Sequence, residues 1–498
     1  MSIIVLVLAL CAAALVYYTT TALSRTRSRL PLPPGPEGNW DFGRSTSSFA
    51  HVSFQELETL FQEYGPVVTL KSGSKTVVVI GRQQAASDIM EKEGASLADR
   101  PKWVAASEIV SGGMRILLLN SGKRFRKLRR ALHSHLQAKA VVDYEPLQMR
   151  YAKNVILDLI DDPDNHACHA RRYAGSLILA LTYGRTAPGR SDDPEIVAVA
   201  RCLQRVGLAV RPGEYKVDEY PLLRYWPFYR KELRVWHAEE LALFRSQMDT
   251  VANNMDTVQP CFGKYLLEHQ GELELKYDEL VYLAGTMFGA GSATTASAIS
   301  LVIMAAACFP AAQRAVQQQI DEVIGGDRAP NFEDYAALPR VKAFILETYR
   351  WRPVGGSGFS HRASRDVFWK NYCIPKGTVV IGNHWSICRD PALFEDSDDF
   401  NPDRWLDDLG RIKDDVPFFN FGFGRRICPG QYVADKSLFI NTALILWAFN
   451  ITQVASEPID PTSFVSVGVS ISPQPFKACF NKRVEGIHRL LEGYGISH

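Results

Sequence analysis

Phe421-Gly422-Phe423-Gly424-Arg425-Arg426-Ile427-Cys428-Pro429-Gly430 is the stretch on which the reading of this chain turns. Glycines on both sides of Cys428 suit a tight loop whose backbone passes close to another group. Pro429 fixes its own φ and has no N–H to give. Such a loop can hold a thiolate rigidly, with backbone amides aimed at the sulfur. Arg426, two residues earlier, is a cation suited to a carboxylate. The apolar run from Phe439 to Phe449 reads as the helix that follows, and a helix N-terminus favours negative charge on sulfur. Against this stands the plain alternative of a buried structural cysteine in a Gly-rich turn, the usual state of a lone cysteine.

The stretch resembles the haem-ligand loop of the cytochrome P450 family, F-x-x-G-x-R-x-C-x-G. Phe421, Gly424, Arg426, Cys428 and Gly430 fill every fixed position. Five fixed positions in ten, with partner motifs elsewhere, outweigh the structural alternative. The resemblance implies haem b (iron protoporphyrin IX), with the Cys428 thiolate as axial ligand and metal ligand. A thiolate there pushes electron density to the iron and favours O–O cleavage.

The rest of the composition is compatible with a large core. The chain has 498 residues, 46% hydrophobic and 22% charged, which is ordinary for globular proteins. Length alone suggests several domains, yet no Ser/Gly-rich linker and no repeat divides it. A net charge of +2 gives no reason to expect nucleic acid. Nine scattered cysteines without a C-x-x-C pair argue against a disulfide framework or a zinc site and for a reducing compartment.

At the N-terminus, Ile3 to Leu23 carries no charge and is long enough, at about 20 residues, to cross a bilayer. It lacks the basic n-region of a cleaved signal peptide. Arg25, Arg27 and Arg29 follow, and positive charge there places the next domain on the cytosolic side. Pro31-Leu32-Pro33-Pro34-Gly35-Pro36 is a stiff stop. The expected organisation is a transmembrane anchor over 1–24, a basic and proline-rich hinge over 25–36 and a haem-thiolate catalytic domain over 37–498. This start resembles endoplasmic-reticulum members of the family, which implies a single-pass protein of that membrane facing the cytosol.

Val67 to Ile80 alternates and is β-branched, as a hairpin does. Ala85 to Glu93 reads as a short helix and Lys102 to Asn120 as irregular. Arg124 to Arg130 opens a strongly basic helix, which by itself is usually a solvated face. The family's W-x-x-x-R implies more: Arg129 takes the position of an arginine that contacts a haem propionate. Phe125 stands at the Trp position and has no N–H to donate. The other cations suit the docking of an acidic electron donor. Residues 145 to 260 read as helices and loops. The aromatic, Pro-broken connection from Pro212 to Tyr229 suits a substrate entrance at the membrane as well as it suits ordinary loop packing. It also resembles filamentous-fungal family members that oxidise secondary metabolites.

Asp278 to Phe309 reads as a long apolar helix ended by Pro310. Gly285, Gly289 and Gly291 lie inside it, each costing about 1 kcal/mol against alanine. They suggest close approach of something flat or large, with helix–helix packing as the alternative. Ala290 to Thr295 resembles A-G-x-[D/E]-T, the family segment beside the oxygen site. That likeness implies catalytic roles for Thr294 and Thr295. Ala293 replaces the acidic residue that normally feeds protons, leaving water, Ser292 or Thr295 to carry them.

Glu347 and Arg350 match the family's E-x-x-R and share a helix face. Apolar flanks predict that the pair is buried. Arg404, in Phe400-Asn401-Pro402-Asp403-Arg404-Trp405, is expected to complete a structural triad. Val354 to His361 is expected as a strand, loosened by Gly355-Gly356-Ser357-Gly358, with His361 at the position of a propionate-binding residue. Tyr372 to Thr378 reads as a hairpin turn and Phe464 to Pro475 as the last strand pair.

The fold expected is mainly α with small β-sheets, the cytochrome P450 fold, behind one transmembrane helix. The reaction implied is monooxygenation of a lipophilic small molecule with O2 as co-substrate. No G-x-G-x-x-G or flavin domain appears, so electrons are expected from NADPH through a separate NADPH–cytochrome P450 reductase, with cytochrome b5 as a second candidate donor. Two alternatives stay open: an oxygen-independent haem-thiolate isomerase or dehydratase, and a non-catalytic haem-binding membrane protein.

Overall fold

The computed structural model describes residues 30–38, 54–72, 75–185, 192–226, 228–416, 418–467 and 470–492. The anchor expected over 1–24 and the basic half of the hinge lie outside them. The proline-rich half is described and is extended. The Pro34 carbonyl accepts from Thr69 N–H at 2.8 Å and that of Pro31 from Cys373 N–H at 2.8 Å. This stretch is therefore docked along the domain it precedes.

The architecture is helical with small sheets. Its main helices are α1 (Phe54–Tyr64), α2 (Lys123–Leu136), α3 (Glu145–Asp161), α4 (His166–Tyr183), α5 (Pro194–Ala209), α6 (Lys231–Asn253), α7 (Tyr277–Cys308), α8 (Pro310–Ile324), α9 (Pro339–Trp351) and α10 (Gln431–Ala448). The central one is α7, 32 residues long and apolar nearly all round. A helix apolar on every face belongs in a core. It packs against α4, α5, α6, α9 and α10, although its length and composition would also let it cross a membrane. Phe309 ends it, and Pro310 takes the first position of α8, where a missing N–H costs nothing.

The glycines of α7 serve packing. A Cβ at Gly285 would lie 2.2 Å from the Phe244 ring of α6, and one at Gly291 would lie 2.7 Å from Ile178 of α4. The expectation of a flat group against these positions is corrected: neighbouring helices fill them.

Four strands make the largest sheet, in the order β1 (Val67–Ser72), β2 (Lys75–Ile80), Val379–Gly382 and β3 (His361–Arg362). Strands β1 and β2 form the antiparallel hairpin read from the sequence, and Val379–Gly382 runs parallel to β2. Two other expectations change. Val354 to Ser360 is a turn and an irregular stretch, and only β3 (His361–Arg362) is strand. Gly358 N–H closes on the Gly355 carbonyl at 2.8 Å, so the glycines fold the chain back before it can pair. Tyr372–Ile374 is itself a strand, paired with Val367–Trp369, so the hairpin turn lies at Lys370 and Asn371. The last strand pair, Phe464–Val467 with Ser470–Pro473, forms as expected.

The span read as irregular, Lys102 to Asn120, contains a π-helical segment, Val104–Val110. With Leu118, Val206, Ala209, Tyr215, Val217 and Leu233 it forms a small hydrophobic cluster of its own.

Candidate active site

Cys428 is placed by two contacts within its own loop. The chain makes a 3-10 turn at Gly424–Arg426 and then extends through Ile427. Cys428 N–H donates to the Phe421 carbonyl at 2.8 Å. The Gly430 amide points back at the sulfur, and α10 starts at the next residue. Burial pushes the thiol pKa up, while the Gly430 amide and the Arg129 guanidinium pull it down. Gly424 has φ of 48° and sits against Gly94, whose Cα would be 3.0 Å from any Cβ there. Only glycine meets both conditions. Gly424 N–H also donates to Glu91 at 2.7 Å, fastening the loop to the segment after the β-hairpin.

Three guanidiniums surround this loop. Arg426 donates to the carbonyls of Ala98 at 2.7 Å and Leu119 at 2.6 Å. Its charged carbon lies 3.7 Å from the centre of the Phe125 ring. Arg129 donates to the Ile427 carbonyl, immediately before the cysteine. Arg100 is 3% exposed and donates to the carbonyls of Leu117 and Ser360. None of the three forms an ion pair among the described residues. The nearby carboxylate, Asp99, is taken up by Arg362 and by Ser121 N–H. Burial depresses the pKa of all three, that of Arg426 to about 10, and Arg426 adds to the depression at Arg100.

His361, expected at a propionate, lies beside Arg100. It is buried, donates from Nδ1 to the Leu97 carbonyl at 2.7 Å, and its pKa is pushed down to about 3 by burial and by Arg100. Arg100 brings a cation to the same place. The sequence reading passed over Arg100. Its signal was an arginine fixed by Pro101 in a stretch too apolar to be a surface loop.

On the facing side, α7 is buried over 280–289 and 296–307, yet Ala290, Gly291 and Ala293 to Thr295 keep accessible surface between them. Surface in the middle of a core helix means that an internal space runs past it. Thr294 donates its hydroxyl proton to the Ala290 carbonyl at 2.8 Å, and Ser292 donates to Gly289 at 3.1 Å. The Thr294 oxygen is thus free to accept and must rotate to donate. Ser292 is buried and turned back on its own helix. Thr295 keeps accessible surface one residue along.

Glu347, Arg350 and Arg404 meet as one network. Arg350 holds the Glu347 carboxylate through two bonds of 2.8 Å, with both side chains fully buried, and Arg404 adds a third at 3.1 Å. Two more donors complete the carboxylate: Asn401 N–H at 2.8 Å and the Trp405 indole at 2.9 Å. The remaining Arg350 hydrogens go to the carbonyls of Cys388, Ser397 and Asp399. A buried pair this fully bonded can offset its desolvation cost. Tyr349, on the same helix, packs edge-on against Phe421, 5.6 Å between ring centres, which joins the network to the cysteine loop.

Outside this interior, a cleft of about 510 Å³ opens between α2 and the cysteine loop, lined by Phe125, Arg126, Arg129, Arg130, His133 and Arg425.

The comparisons with known proteins agree with this geometry. A family profile described as cytochrome P450 matches residues 33–480. Cytochrome P450 monooxygenase 113 of Postia placenta is 50% identical over 466 residues, 93% of each chain. Cytochrome P450 monooxygenase 64 of the same fungus is 48% identical over 484 residues, 96% of this chain and 97% of that one. Cytochrome P450 monooxygenase aneD of Aspergillus aculeatus is 33% identical over 464 residues, 91% of this chain and 88% of that protein. The chain belongs to the cytochrome P450 family. It is an oxidoreductase of the monooxygenase class, and membership implies a haem-thiolate group, O2 and a reductase as electron donor.

The residues present fit that group. A porphyrin carrying two propionates needs a sulfur ligand, anion partners and a flat apolar space. Cys428 supplies the sulfur, just ahead of α10, which packs on α7. Arg100, Arg129 and Arg426 supply positive charge with which no carboxylate of the described residues forms an ion pair, although Asp99 lies near Arg100 and Arg426.

Proposed function

We propose that this enzyme inserts one oxygen atom from O2 into a lipophilic small molecule, as a hydroxylation or oxidation step in fungal secondary-metabolite biosynthesis, on a polyketide, terpenoid or alkaloid. The observation that carries the reading is Cys428, half-buried, with the Gly430 amide turned toward its sulfur and the Arg129 guanidinium close by. When bound, the haem supplies the oxygen-activating centre, from which one atom enters the substrate and the other leaves as water. Cys428 would hold the iron, and Arg100, Arg129 and Arg426, with His361 beside Arg100, would hold the propionates. Thr294 accepts and relays protons at Oγ1, helped by Thr295 and water, since Ala293 has no carboxylate. The apolar residues above α7 orient the substrate and exclude water, as the walls of a mostly apolar pocket do.

Electrons reach the site from NADPH through a separate NADPH–cytochrome P450 reductase, with cytochrome b5 as a second donor. The cations Arg126, Arg130 and Arg425 at the cleft beside Cys428 suit an acidic partner there. The location proposed is the endoplasmic-reticulum membrane, with Ile3 to Leu23 as anchor and residues 37–498 as the catalytic domain on the cytosolic side. Exposed Tyr220, Leu222, Tyr225, Trp226 and Phe228 support a membrane-facing surface, since aromatic residues favour the bilayer interface. Removing residues 1–29 should release the protein from membranes partly or wholly and keep its haem; unchanged attachment overturns the anchor.

The test of function is to supply membranes with reductase, NADPH and lipophilic candidates, and to measure product and NADPH together. Product coupled to NADPH use is expected. Product without NADPH use would favour the isomerase or dehydratase, which Ala293 alone supports. Haem without turnover of any candidate would favour a non-catalytic protein.

A further inference from the structure

The basic helix α2 presents two adjacent cationic faces, and the fold treats them differently. Arg126, Arg130 and His133 line the open cleft beside the cysteine loop. Arg124 and Lys127, one turn apart on the next face, are taken up by carboxylates of this same chain. Arg124 pairs with Glu279 at 2.8 Å and Lys127 with Glu274 at 2.6 Å. Both carboxylates come from where the chain leaves the short turn Gln270–Leu273 and enters α7.

The two acids are held in different ways. Glu279 lies in the first turn of α7, where its other oxygen accepts from Lys276 N–H at 3.0 Å in a capping box. Its side chain is 17% exposed, so this half is fixed. Glu274 is 79% exposed. Its φ of 46° lies in the left-handed region, which residues other than glycine seldom adopt. In that conformation Lys127 reaches its carboxylate and, at 3.4 Å, its backbone carbonyl. Lys127 holds the Glu274 carboxyl below its usual pKa. Neighbouring acids go elsewhere: Asp278 pairs with Arg245 of α6, and Asp249 of α6 accepts from Tyr277. Glu274 and Glu279 thus offer α2 what an acidic protein would offer it, carboxylates on a basic helix. Ion pairs open to water contribute little and exchange readily, so an incoming carboxylate can displace them.

We propose that Glu274 and Glu279 are an intramolecular competitor of the acidic electron donor: they cover Arg124 and Lys127, and the donor gains this second face of α2 only by displacing them. The segment ahead of α7 then lowers the donor's affinity, and Glu274, the looser of the two, is displaced first. This rests on the reading above that an acidic donor docks at the cleft beside Cys428.

The test titrates the full-length holoprotein, in nanodiscs of neutral lipid, with the cytosolic domain of NADPH–cytochrome P450 reductase. The dissociation constant is read by thermophoresis, and the reduced CO spectrum of each variant checks the haem site. At low salt Glu274→Gln should tighten binding about threefold, the scale of one exposed ion pair. Adding Glu279→Gln should bring the gain to about tenfold, and glutamine there can still accept at the α7 cap. The gain should fade in concentrated salt, which screens exposed charges. Glu272→Gln removes the same charge two residues away, outside both pairs, and should change little. In a Lys127→Gln background Glu274→Gln should give no gain. Equal tightening by Glu272→Gln, the same gain with and without Lys127, or unchanged binding in both Glu274→Gln and the double variant would overturn the competitor. Arg126→Glu should weaken binding; if it does not, the donor-docking reading beneath the proposal fails and the competitor with it.

Discussion

The guanidinium of Arg426 lies over the ring of Phe125, 3.7 Å from its centre. It joins the cysteine loop to α2 at a position where the family often has a tryptophan. An indole could donate a hydrogen bond there; a phenyl ring can only pack and attract the cation through its face.

Phe125→Leu keeps most of the volume and removes the aromatic face. It should destabilise the holoprotein by about 1 kcal/mol, the scale of a partly desolvated cation–π contact. In an Arg426→Gln background the same change should cost much less. The check is a double-mutant cycle on denaturant unfolding, with haem loss followed in parallel. Equal costs in the two backgrounds would show that the ring and the cation do not couple.

Glu347→Ala removes the acceptor of five hydrogen bonds and leaves Arg350 buried without a counter-charge. The cost should be roughly 3–5 kcal/mol, so haem-loaded protein should be scarce. Trp405→Phe removes one of those donors and should cost less, about 1.5–3 kcal/mol. Yield and haem content of the two variants give the comparison. A normal yield for Glu347→Ala would mean that the network carries little of the fold.

How far the sequence went can be judged on these same residues. Glu347, Arg350 and Arg404 were legible because a helical i, i+3 pair with apolar flanks has few ways to be satisfied. Trp405 was not, because an indole N–H gives no pattern until the fold brings it to a carboxylate. The α7 glycines were readable as special, but what they accommodate depends on Phe244 and Ile178, far away in sequence. The surroundings of His361 were not legible either, because residue type says nothing of burial next to Arg100. The β-hairpin and the long helices followed from periodicity. Val354 to Ser360 did not, since Gly355-Gly356-Ser357-Gly358 turns the chain where a strand was expected.

Thr294 and Ala293 bear on proton delivery. Thr294→Ala should keep haem and substrate binding but lower product per NADPH and raise hydrogen peroxide, because the polar atom at this point of α7 is lost. Ala293→Asp should be neutral or improve coupling if its carboxylate meets water; buried without partners it would take up a proton and lose that role. Product, peroxide and NADPH measured together decide both. Unchanged coupling in Thr294→Ala would remove this threonine from the proton path.

The central claim is that Cys428 is the thiolate ligand of a haem, and one spectrum tests it most directly. The dithionite-reduced protein under carbon monoxide should show the red-shifted Soret band of thiolate-bound haem, and Cys428→Ala should lose that band. The same red-shifted band in Cys428→Ala, or none in the haem-loaded wild type, would contradict the assignment.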